Sequence, residues 1–121
     1  MNDFVDTIVF NLEANGYIAR STFTKECDCE KHKIMVYIKE TVSQFKTLCV
    51  ISIQVPLLHS IKNIIKINIY YKCDCPLEQL PYSLWSLPGE LFKVKTYNVD
   101  NFDLNEVLYY LNIVKLNITK S

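Results

Sequence analysis

Hydrophobic residues change their spacing from one stretch of this chain to the next, and each spacing predicts an element. Phe4, Val5, Ile8, Val9 and Leu12 fall on one side of a 3.6-residue helix, with Asn2 or Asp3 placed to cap it and Asn15-Gly16 to stop it in left-handed backbone. Residues 17–25 alternate, Tyr17, Ala19 and Phe23 against Arg20, Thr22 and Thr24, which predicts a strand. Residues 26–33 are polar and read as a connection to a short β-rich run, 34–38; residues 39–46 read as a second connection. Residues 47–55 are the most continuously apolar stretch. Thr47, Val50, Ile51, Ile53 and Val55 are β-branched, and Pro56 ends further pairing, so this run predicts the central strand. Both of its faces are expected to be covered; if one is wetter it is that of Ser52 and Gln54, opposite Ile51, Ile53 and Val55.

Beyond Pro56 two periods compete. Leu57, Leu58, Ile61, Ile64 and Ile65 keep helical spacing, whereas residues 65–71 suit a strand, so a short helix or turn followed by a strand over about 63–73 is expected. A helical crossover would make that strand parallel to the central one and bring it to the edge of the first; a hairpin would put it on the opposite side. Pro76, Pro81 and Pro88 interrupt the next segment, yet Leu80, Tyr82, Leu84, Trp85 and Leu87 are too apolar for a free loop. They predict a cover over a sheet face, or a surface presented to a partner. Residues 91–98 alternate as a half-exposed strand. Asp103 caps a last helix that turns Leu104, Val107, Leu108, Leu111 and Val114 inward, and residues 116–121 are expected to fray. The fold class is therefore α+β: one domain over residues 1–121, with a mostly antiparallel sheet of about five strands between an N-terminal and a C-terminal helix.

Composition narrows the function classes. A chain of 121 residues, 50% of them hydrophobic, is one domain with a real core. Thirteen basic residues balance thirteen acidic ones, so contact with nucleic acid or an anionic surface has to be local. Asp3 and Asp6 stand where a secretory signal carries basic residues, and no apolar run approaches the ~18 residues of a membrane span, so an intracellular protein without membrane contact is expected. On that reading Asn117-Ile118-Thr119 is not a glycosylation site. Lysine outnumbers arginine twelve to one, and Ile, Asn and Tyr are abundant, the bias of an AT-rich genome, whether of a virus, a phage, a bacterium or an archaeon.

Two Cys-Asp-Cys triplets, Cys27/Cys29 and Cys73/Cys75, supply four thiols, the donor number of a tetrahedral zinc site, with His32 as a substitute ligand. A single intervening residue chelates less well than Cys-x₂-Cys, so buried free thiols and disulfides between the triplets stand beside the metal reading. Cys49, inside the central run, belongs to the core. A catalytic cysteine with His32 or His59 lacks any local nucleophile signature, and no phosphate loop, nucleotide fingerprint or metalloprotease helix occurs.

The order helix, three-strand meander, helix, strand resembles the core of the nuclease superfamily that includes archaeal Holliday-junction resolvases, with Glu13 where that family often has an acidic residue. The resemblance implies a shared fold core. It does not extend to two-metal chemistry, since the family's acidic positions on the second and third strands correspond here to Tyr37, in Val36-Tyr-Ile-Lys39, and to a central run without any carboxylate.

Residues 41–73 carry no acidic side chain, while Lys46, Lys62, Lys66 and Lys72 occur with Tyr70 and Tyr71, a composition suited to phosphates and bases. With no acid/base pair or cofactor loop in view, a non-enzymatic macromolecule-binding protein is expected. Its partner is a protein or a second copy met through residues 80–87, in one form a small viral inhibitor of a host defence or nucleic-acid-processing complex. The alternatives are a nucleic-acid-binding protein that uses the Lys/Tyr face of residues 46–72, or a catalytically degenerate nuclease-like fold.

Overall fold

A computed structural model describes residues 2–26, 28–39, 41–56, 65–72 and 91–119, with side chains at all of these except 2, 72, 91–95 and 117–119. Helix α1 (Asn2–Ala14) leads into strands β1 (Ile18–Lys25), β2 (Cys29–Lys39), β3 (Phe45–Pro56), β4 (Lys66–Lys72) and β5 (Leu91–Asn98); a 3₁₀ turn (Val99–Asn101) then precedes helix α2 (Leu104–Thr119). The strands form one sheet in the order β1-β2-β3-β4-β5, every neighbouring pair antiparallel. The apolar run of residues 47–55 is its middle strand, as its branched side chains require. Among the described residues no helix is long and apolar enough to cross a membrane.

Several sequence expectations shift. β4 lies antiparallel to β3 on the side away from β1, so it is not the parallel strand that a helical crossover would give, and the order expected from the nuclease resemblance does not hold at this strand. β2 begins at Cys29, which places most of the supposed connection 26–33 inside a strand, and β3 begins at Phe45. A strand wetted on one face accommodates that polar run: Lys31 and Lys33 point to the wet side while His32 and Ile34 alternate inward. α2 continues to Thr119, past the expected fraying point.

Both helices lie on one face of the sheet, α1 over β1 and β2 and α2 over β3 and β4. Val5, Ile8 and Leu12 from α1 and Val107, Leu111 and Val114 from α2 meet Ile34, Val36, Ile51, Ile53, Ile67 and Ile69 in one core. α1 ends in a Schellman arrangement: Tyr17 N–H donates to the Leu12 carbonyl and Gly16 N–H to the Glu13 carbonyl, both at 3.1 Å, with Gly16 at φ +90°. Asp103 caps α2 as expected, its Oδ1 accepting from Asn105 N–H at 3.0 Å. Phe102 joins the layers, its ring meeting Phe4 of α1 and Tyr97 of β5 edge-on at 5.7 and 5.5 Å.

One irregularity decides how the faces are divided. Val36 pairs with Cys49 but Tyr37 pairs with Thr47, so Leu48 is the extra residue of a β-bulge. Leu48 and Cys49 are consequently both buried in the core, and the in/out phase of β3 reverses between Leu48 and its start.

Candidate functional site

With both helices on one face, the other face of the sheet is the broad surface left open among the described residues. Register sets its residues in rows across the strands. Thr24, Lys31, Gln54 and Lys66 form one row; Thr22, Lys33, Ser52, Asn68 and Thr96 form the next; Arg20, Met35, Val50 and Tyr70 form a third. Ile18, Tyr37 and Thr47 follow, and Lys39 with Phe45 closes the series. Val50 is only 8% exposed, so Met35 and Tyr70 wall an apolar floor beside the polar row of Lys33 and Ser52. Open grooves of about 400 and 390 Å³ run along these rows and share Lys33, Ser52 and Tyr70. A further one of about 310 Å³ lies between Ile18, Arg20, Tyr37 and Phe45.

The balanced total charge conceals an asymmetry. Arg20, Lys31, Lys33, Lys39 and Lys66 all belong to the open face by register, and the described carboxylates at its margin are Glu26 and Asp28 in the β1–β2 turn. Asp3, Asp6 and Glu13 are exposed on α1, while Asp100, Asp103 and Glu106 lie before and within α2, on the helix side. Lys31 is 3.3 Å from Glu26 Oε1, both side chains about half exposed, so that pair is solvent-screened and easily exchanged. Polar groups between the cations are ordered: Thr96 Oγ1 donates to Asn68 Oδ1 at 2.7 Å.

Of the nucleic-acid residues expected from sequence, the structure keeps Lys66 and Tyr70 on this face and removes two others. Tyr71 is buried on the helix side, its hydroxyl donating to the Val107 carbonyl at 3.2 Å. Adjacent strand residues face opposite ways, so Tyr70 and Tyr71 are never neighbours on one surface. Lys46 pairs across from Ile38, a core residue, because the Leu48 bulge turns it to the helix side. Lys72 ends β4 with its side chain outside the described set, and Lys62 lies outside the described residues. Sequence reasoning missed Arg20, Lys31, Lys33, Lys39 and Tyr37. Their signal was the alternation of residues 17–39, visible as a face only once β1, β2 and β3 are in register.

The other candidates come together less well. Cys27, Cys73 and Cys75 lie outside the described residues, as do Leu80, Tyr82, Leu84, Trp85 and Leu87. Cys29 and Cys49 are free thiols. Cys29 Sγ lies 3.8 Å from Glu26 Oε2 and from Gln54 Nε2, and Glu26, Asp28 and Cys29 are the described residues whose ligand atoms gather within 4.8 Å; Glu13 is not among them. Cys49 is fully buried, and burial pushes its thiol pKa up, away from the thiolate that nucleophilic chemistry requires. His32 is buried on the helix-side face, its ring 4.9 Å from that of Phe23 and its Nε2 3.8 Å from Glu30 Oε2. Cys29 and His32 project from opposite faces of β2 and do not form a thiol–imidazole pair.

No family model matches the chain, and no curated protein or solved structure matches it either.

Proposed function

We propose that this protein is a non-catalytic nucleic-acid binder whose contact surface is the open face of the sheet. One observation carries the reading: five cations share a face whose margin holds two described carboxylates, while the described acidic residues of α1 and α2 stand on the far side. A phosphate backbone rewards such local positive charge through counterion release even where the whole molecule is neutral. Thr22, Ser52, Gln54 and Asn68 supply donors and acceptors between the cations, as mixed phosphate, sugar and base contacts require. The protein-partner reading rests on residues 80–87, which lie outside the described residues, whereas the nucleic-acid reading rests on the described face.

Retention of fluorescent oligonucleotides at low salt, followed through a salt titration, tests it. Wild-type protein should retain them with affinity that falls linearly in log salt, and leave them intact with Mg²⁺ or Mn²⁺ present. The double variant Lys33→Gln/Lys66→Gln should bind more weakly with a shallower salt slope. A folded protein that retains no oligonucleotide at low salt sinks the proposal.

A further inference from the structure

The shape of the same face points to the form of nucleic acid it takes, an inference that rests on the reading above. We infer that the ligand is an unpaired strand laid across the sheet, with a base stacked on Tyr70 over the Met35–Val50 floor and phosphates held by Lys33 and Arg20.

Five strands at about 4.8 Å spacing make a platform roughly 19 Å across, whereas the major groove of a duplex is about 12 Å wide and admits a helix or a two-stranded ribbon. The described part of this face carries no element that projects into a groove, so a duplex would meet the cations only along one ridge of phosphates.

A duplex hides the faces of its bases and offers nothing to an apolar floor. Unpaired bases expose those faces and stack on aromatic side chains of a sheet surface, each such contact being sequence-tolerant because every base has a π-face. The open face has the required alternation. The row containing Met35, Val50 and the half-buried Tyr70 runs beside the row containing Lys33, Ser52 and Asn68, with Arg20 at its β1 end. Tyr37, beside Arg20 and Phe45, offers a second ring toward the other end of the same path. The Lys31–Glu26 pair is a built-in competitor, since any phosphate reaching Lys31 displaces a carboxylate.

The test is competition of unlabelled DNA and RNA single strands, and of the matching DNA duplex, against one labelled single strand, at one salt concentration. Tighter binding of the single strands is expected, with the DNA and RNA arms showing which sugar is preferred. Tyr70→Phe should retain affinity, Tyr70→Ala should lose roughly 5- to 150-fold, the range of one base–aromatic stack, and Glu26→Gln should tighten binding. Duplex bound as tightly as the single strands, or Tyr70→Ala without effect in a folded protein, overturns the inference and leaves nucleic-acid binding standing. Retention of poly-glutamate equal to that of the oligonucleotides also overturns it, since charge alone would then explain the contact. No retention of any nucleic acid at low salt removes the underlying reading as well.

Discussion

Tyr71 of β4 donates its phenolic hydrogen to the main-chain carbonyl of Val107 on α2 at 3.2 Å, across the middle of the core. Tyr97 Oη donates to Glu106 Oε1 and Tyr17 Oη to Asn112 Oδ1, each at 2.5 Å, so three tyrosines from the sheet side tie one helix down. Tyr71→Phe keeps the ring and removes that bond, and should lower unfolding free energy by about 1 kcal/mol at unchanged m-value in urea. Tyr70→Phe, on the open face, should stay within about 0.5 kcal/mol of wild type. Equal losses for the two variants would contradict the opposite placement of these neighbours.

The same tyrosines predict how stability responds to alkali. Burial pushes the hydroxyl pKa of Tyr17, Tyr71 and Tyr97 upward, and for Tyr97 the hydrogen bond to Glu106 adds to it. In the unfolded chain these groups ionise near pH 10, while folded they keep their protons to higher pH. Above about pH 10 the unfolded state therefore binds fewer protons, so stability falls as pH rises and is fully present below that point. Cys49 adds the same trend from its unfolded value near pH 8.5–9. Urea midpoints measured from pH 7 to 11 should stay level and then drop. Titration of all eight tyrosines near pH 10 in a protein that remains folded would show that these three are not buried.

Gly16 tests a backbone effect in isolation. A Cβ built there meets nothing within 4 Å, yet φ is +90°, so any cost of substitution is conformational. Gly16→Ala should destabilise by about 1–2 kcal/mol, read from thermal or urea unfolding. A neutral effect would mean that α1 can end without the left-handed residue.

His32 sits 4% exposed with Nε2 lacking a hydrogen-bond partner among the described residues. An apolar ring should suit the site better, since Phe23 and Ile53 flank it across the sheet. His32→Phe should raise stability by about 1 kcal/mol by removing a buried unsatisfied group. A loss of similar size would show that the imidazole has a partner that matters.

The linear pattern alone determined the elements whose causes are local. Periodicity and caps placed α1 and α2, the Asn15-Gly16 stop fell where Gly16 takes its left-handed φ, and the branched run of residues 47–55 became the middle strand with Ser52 and Gln54 on the wetter side. Tertiary pairing decided the remainder. Whether residues 66–72 run parallel or antiparallel to β3 depends on which edge they meet, which neither helical nor strand spacing encodes. Lys46 shares the parity of Ser52 and Gln54 along the chain, and only the Leu48 bulge, a property of two strands in register, carries it to the other face. The basic open face has the same origin: Arg20, Lys33 and Lys66 are far apart in sequence and become one surface because the four strands β1 to β4 pair, while both helices settle on the opposite side where the apolar residues already were.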